Sequence, residues 1–168
     1  MIKVKRYFLD LRLEKKLKEP LTLPNNVTID LWDKRDFNLN KFFYKQIGKD
    51  HYWRDRLIWT DKQWLNYSSN KNLDTWVIQQ DKNLIGFYEA EKHLEKNEIE
   101  LINMGVLTEF REKRYGSVLL KHLIKEYTDK NFSRVWVHTC SLDHKYALQN
   151  YKSKGFKVFK EEKINYVA

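Results

Sequence analysis

Little cysteine, no long hydrophobic run and no internal repeat mark this sequence, and each absence excludes something. The single cysteine, Cys140, cannot form a disulfide within the chain, so a reduced, cytoplasmic setting is expected. No apolar run approaches the roughly 20 residues of a membrane helix, and no membrane partner is expected. The stretch MIKVKRYFLDL alternates apolar and polar residues instead of forming a signal-peptide core. No low-complexity segment interrupts the chain, and its 168 residues are enough for one domain, 1–168, that buries a core without disulfides or metals.

Positive charge is what the chain has in excess. Lys and Arg number 32 against 23 Asp and Glu, a net +9 that favours anionic partners. The lysines are spread along the whole chain, however, which reads as a solvated surface and disfavours nucleic acid. Nothing in the composition fixes an oligomeric state.

Periodicity supplies the organisation. Ile2 to Asp10 and Val27 to Trp32 alternate like strands, separated by a polar stretch with Pro20 and Pro24 that reads as a loop. Asp36 or Asn38 can cap a helix whose Leu39, Phe42, Phe43 and Ile47 share a face and which Gly48 can end. Thr60 with Gln63 forms a capping-box pattern. Leu73 to Gln80, Leu84 to Glu91 and Glu98 to Leu107 read as strands, the first two joined at Asp81-Lys82-Asn83. The later alternation of strands and helices predicts a mixed α/β sheet.

From Glu98 onward the order is strand, polar turn, helix, strand, helix, and the turn carries Arg111-Glu112-Lys113-Arg114-Tyr115-Gly116-Ser117 before VLLKHLIKEY. Unpaired N–H groups at a helix N-terminus, at the positive end of its dipole, make this an anion cradle. The stretch VLTEFREKRYGSVLL resembles the acyl-CoA pyrophosphate loop, Q/R-x-x-G-x-G/A, of the GNAT N-acetyltransferase superfamily. Arg111 and Gly116 fit it, and Arg114 stands where the family has its first glycine. A strand (EIELINMGV) precedes the loop, an apolar strand (SRVWVHTC) follows its helix, and A-x-x-x-Y-x-x-x-G-F, with Ala147, Tyr151 and Gly155 four apart, resembles the family's last motif. IGKDHYWRDRLIW and RVWVHTCSLDH are similar to a bacterial subgroup, without bringing a substrate.

The resemblance implies a partly splayed mixed sheet with helices on both faces, and acetyl transfer from acetyl-CoA to a primary amine of a small molecule or peptide. It implies cofactor contacts at Met104, Val106, Arg111, Lys113, Arg114, Tyr115, Gly116, Ser117 and His144, the last equally readable as a surface histidine. Main-chain donors at Met104 to Val106 would meet the thioester carbonyl and pantetheine arm. Gly105 is read as irregular backbone or a bulge. Glu100 falls where some members carry a general base, useful because an amine of pKa about 10.4 is protonated at neutral pH; a solvated carboxylate is the competing reading. Tyr151 matches the tyrosine that protonates the departing thiolate, against a core aromatic.

Arg114 sets a second expectation, because glycine takes positive φ more readily than arginine, although an arginine can add charge for the phosphates. A loop remodelled there would favour an inactive acyl-CoA-binding regulatory module; a basic RNA- or ribosome-associated protein is a further alternative. Cys140 with His138, Asp143 and His144 lacks the paired spacing of a zinc site, so no metal is expected, and Asp143 reads as the N-cap of the helix bearing Tyr151. His51, Tyr52, Trp53, Arg54 and Arg56 lie in the segment where the superfamily builds its acceptor pocket, and two arginines beside aromatics would suit a substrate carboxylate.

Overall fold

A computed structural model describes residues 1–14 and 20–166. Among these, alternating apolar residues form seven strands: β1 (Ile2–Arg12), β2 (Val27–Leu31), β3 (Leu73–Gln80), β4 (Asn83–His93), β5 (Glu98–Val106), β6 (Arg134–Cys140) and β7 (Lys157–Tyr166). Four α-helices join them: α1 (Phe37–Gly48), α2 (Asp61–Ser68), α3 (Tyr115–Asp129) and α4 (Ala147–Ser153). The strands form one mixed sheet in the order β2-β3-β4-β5-β6-β1-β7. Only the β5–β6 pair is parallel.

Strand alternation sends apolar residues to two layers. On one face Leu9, Ile99, Leu101, Val135 and Val137 pack under Leu119, Leu120 and Leu123 of α3 and Tyr151 of α4. On the other, Val77 and Phe87 pack under Leu39, Phe43 and Ile47 of α1, with the Phe43 and Phe87 rings stacked 4.8 Å apart. Each such buried side chain contributes about 1.5–3 kcal/mol. Helices thus cover both faces, as expected.

Local signals hold in most places. Thr60 and Gln63 form both bonds of the capping box at the start of α2. Asp36 is the N-cap residue of α1, yet its carboxylate accepts from Trp32 Nε1 at 2.9 Å instead of from the helix. Gly105 is neither irregular nor a bulge: it pairs with Phe87 in a regular ladder. Its missing Cβ serves packing, since a Cβ there would stand 2.7 Å from Ile47 Cγ2. The charged segment KVFKEEKINY, with no strand signal in the sequence reading, forms β7 at the edge of the sheet. Between β6 and β7 lies β1, paired antiparallel with both.

Candidate active site

Of the register shifts in this sheet, the one between β4 and β5 sits at Ile102. Ala90 faces Leu101 and Glu89 faces Asn103, so Ile102 is the extra residue on β5. A bulge bends its strand and sharpens its twist. The pairing of β5 with β6 ends at the same place, at Leu101 and Val137. Beyond it each strand follows a different neighbour: Met104 to Val106 stay with β4, while His138 to Cys140 stay with β1. The strands splay, and a cavity of about 570 Å³ opens between them.

On the α3 side the lining includes Arg111, Arg114, Tyr115, Gly116 and Ser117. Arg114 is the N-cap of α3 with φ 65°, and Glu112 has φ 67°. Both are left-handed, a conformation costing an L-residue roughly 1–2 kcal/mol. Arginine therefore adopts the backbone a glycine would take, and the loop keeps its turn. No side chain caps α3, and its first internal bond runs from Val118 N to Arg114 O, so the N–H groups of residues 115–117 have no intrahelical acceptor. A Cβ at Gly116 would touch only Asn150 Nδ2, at 3.8 Å. The glycine thus answers no packing or φ demand of the protein itself and leaves room on the cavity wall.

Arg111 is braced behind this turn. Its Nε donates to Val106 O at 3.1 Å and its Nη1 meets Asp50 Oδ2 at 3.3 Å, while Nη2 is buried with no hydrogen-bond partner. His51 and His144 also line the cavity, with rings 6.0 Å apart. Burial, then the Arg111 guanidinium, holds both below the ordinary value of 6.5, so both are neutral at neutral pH.

Tyr151 projects from α4 to the cavity, its ring against Phe156 at 5.6 Å and 6% exposed. Burial, then the Asp143 charge, pushes its phenol well above the usual 10, so it stays protonated. Asp143 is not the N-cap of that helix; Tyr146 holds that position. Its carboxylate accepts instead from Thr139 Oγ1 at 2.6 Å, Cys140 N at 2.9 Å and Trp53 Nε1 at 3.3 Å, tying the end of β6 to the segment after α1. Burial, then Asp143, also raises the Cys140 thiol, which disfavours a thiolate nucleophile.

Met104, Val106, Arg111, Arg114, Tyr115, Gly116, Ser117, His144 and Tyr151 are thus gathered around one cavity, and two expected residues are not. Lys113 lies off the lining with its Nζ 5.8 Å over the Phe110 ring. Glu100, two residues before the bulge, pairs with His93 Nε2 at 3.0 Å outside the cavity. With Glu91 these two bring one ligand atom each within 4.8 Å of one another, a spacing that a cation could use.

On the α1 side the lining includes Tyr44, His51 to Arg56, and Asn103. Arg56 is not free for a substrate. Its Nη1 meets the fully buried Glu89 at 3.3 Å, and its guanidinium lies 4.1–5.7 Å from the rings of Tyr67, Trp59, Tyr44 and Trp64. Glu89 also accepts from Asn40, Tyr67 and Asn103 at 2.7, 2.9 and 3.0 Å. A carboxylate inside the apolar run IGFYEAE was the signal that could have revealed this centre.

The acetyltransferase (GNAT) family model matches residues 22–156. The chain belongs to this family. Solved structures with the GNAT fold include an aminoglycoside acetyltransferase from an uncultured soil metagenomic sample, in complex with sisomicin, at 16% identity and a TM-score of 0.65 over 78% of this chain and 88% of that one. The ribosomal-protein-S18-alanine N-acetyltransferase of Escherichia coli aligns at 20% identity and 0.60, over 77% and 76%. A GCN5-related N-acetyltransferase of Sphaerobacter thermophilus aligns at 13% and 0.70 over 94% of this chain, which spans 49% of that longer one. No curated protein matches the sequence. Among the described residues no helix is long and apolar enough to cross a membrane. Strands β1 and β7 lie outside the residues matched to the GNAT family, yet β1 adds Arg6 to the cavity lining.

Proposed function

We propose that this GNAT domain is a cytoplasmic enzyme that transfers an acetyl group from acetyl-CoA to a primary amine by direct attack. The observation that carries the reading is the splay at Ile102, which opens a cavity between an uncapped helix N-terminus and a protonated, buried tyrosine. Acetyl-CoA supplies a thioester whose C–S bond is exchanged for a C–N bond to the amine. The N–H groups of residues 115–117, with Arg111 and Arg114, would hold its phosphates, and the space beside Gly116 leaves room for them. Met104 and Val106 offer main-chain groups on the edge of β5 that β6 has left. Tyr151 has no hydrogen-bond partner for its hydroxyl among the described residues and would donate its proton to the departing sulfur.

Glu100 takes no part in this reading, because it faces His93. The amine's proton would leave to water or to a neutral cavity histidine such as His51 or His144. The positive φ of Arg114 favours a working transferase over a binding module, since the loop has not been remodelled. Free-thiol release from acetyl-CoA with a panel of amines tests the reading, beside calorimetry with coenzyme A. Amine-dependent release is expected; tight binding of coenzyme A with no release for any amine would leave the module instead.

A further inference from the structure

The α1 side of the cavity holds a further arginine, Arg6, with a different environment from Arg56. Arg6 stands on β1 opposite Cys140. Leu9 and Tyr7 of the same strand pack into the α3-side core, so alternation places Arg6 on the other face, the one that carries α1 and residues 51–56. Its Nε is buried with no hydrogen-bond partner. Its ion-pair partner among the described residues, Glu162, stands 3.9 Å away and is also held by Lys160 at 2.9 Å. A buried donor without an acceptor is costly, and a guanidinium presents its donors in a fork that fits a carboxylate.

We infer that Arg6 binds a carboxylate on the acceptor, so that the substrates are amines carrying a carboxylate group. This rests on the acetyl-transfer reading above. The phosphates of the donor would have their own cradle, around residues 111–117. With Glu162 already close, a singly charged carboxylate suits the site better than a phosphate dianion. The strand that supplies Arg6 lies outside the residues matched to the family.

Amino acids, each paired with its carboxamide, provide the test, with kcat and KM read from thiol release. The wild type should prefer the carboxylate member, and Arg6→Gln should raise KM for that member about tenfold or more while leaving the amide and coenzyme A affinity unchanged. Arg6→Lys should recover part of the loss. Glu162→Gln, which removes the competing carboxylate, should lower KM for the acid. Equal losses for acid and amide, no preference in the wild type, or weakened coenzyme A binding in Arg6→Gln would overturn the assignment. If no amine is acetylated, the transfer reading fails separately, and calorimetry of the coenzyme A complex with the same pairs decides: heat with the acid alone, lost in Arg6→Gln, supports the contact, and no difference between acid and amide overturns it.

Discussion

In the proposed reading the donor's phosphates meet one contiguous stretch, residues 111–117, largely through backbone N–H groups, whereas the acceptor meets Arg6, Tyr44, Trp53, Asn103 and Cys140, gathered from separate segments, through side chains. Backbone donors do not depend on which side chain is attached, so the turn survives an arginine where the family has glycine. Side-chain chemistry has no such tolerance. The donor contacts can therefore remain those of a whole family, while the acceptor contacts answer to a few individual residues.

The largest effect should come from the side-chain half. Glu89→Ala leaves Arg56 without its counter-charge among four aromatic rings, and removing one partner of a buried pair costs about 3–5 kcal/mol. Denaturant unfolding checks this, and a loss under about 1 kcal/mol would mean that Arg56 is hydrated. Where the two halves meet, Tyr151→Phe should lower kcat by about 10²-fold with little change in coenzyme A affinity; an unchanged kcat under rate-limiting chemistry would remove the tyrosine from the mechanism.

Smaller effects should come from the backbone half. Gly116→Pro deletes one N–H in the first helical turn, where proline is tolerated, so coenzyme A affinity should fall about tenfold in calorimetry while the fold persists. Equal affinities would show that this donor does not face the phosphates. Arg114→Gly relieves the left-handed strain and should stabilise the fold by up to about 1 kcal/mol, with a few-fold weaker coenzyme A binding that fades at high salt. Glu100→Gln should change turnover less than about twofold, since its carboxylate pairs with His93 outside the cavity.

The same contrast governs how much could be read from the sequence. The strands, α1, the capping box of α2 and the turn before α3 depend on periodicity and short-range spacing, and these were legible. Edge strand β7 was not, because it is shielded on one side only and its exposed Lys157, Phe159, Lys160 and Glu161 hide the alternation. Glu100 was misplaced because the bulge at Ile102 lies between it and the cavity, and a bulge leaves no mark in spacing alone. Asp143 precedes a helix as an N-cap would, yet Thr139, Cys140 and Trp53 present donors to it that only the tertiary fold brings near. Arg6 was out of reach for the same reason, whereas the Glu89 centre had a signal in the carboxylate inside IGFYEAE.

The position of β1 also sets a timetable. This strand is made before any other element described here, but the strands that pair with it, β6 and β7, are the last two of the seven described. Until they are made it has two open edges, which can pair with another chain. The turn at 111–117 and α3 emerge well before residue 166. The turn and α3 are thus made before β6 and β7 are available to pair with β1 and hold Arg6 in its register.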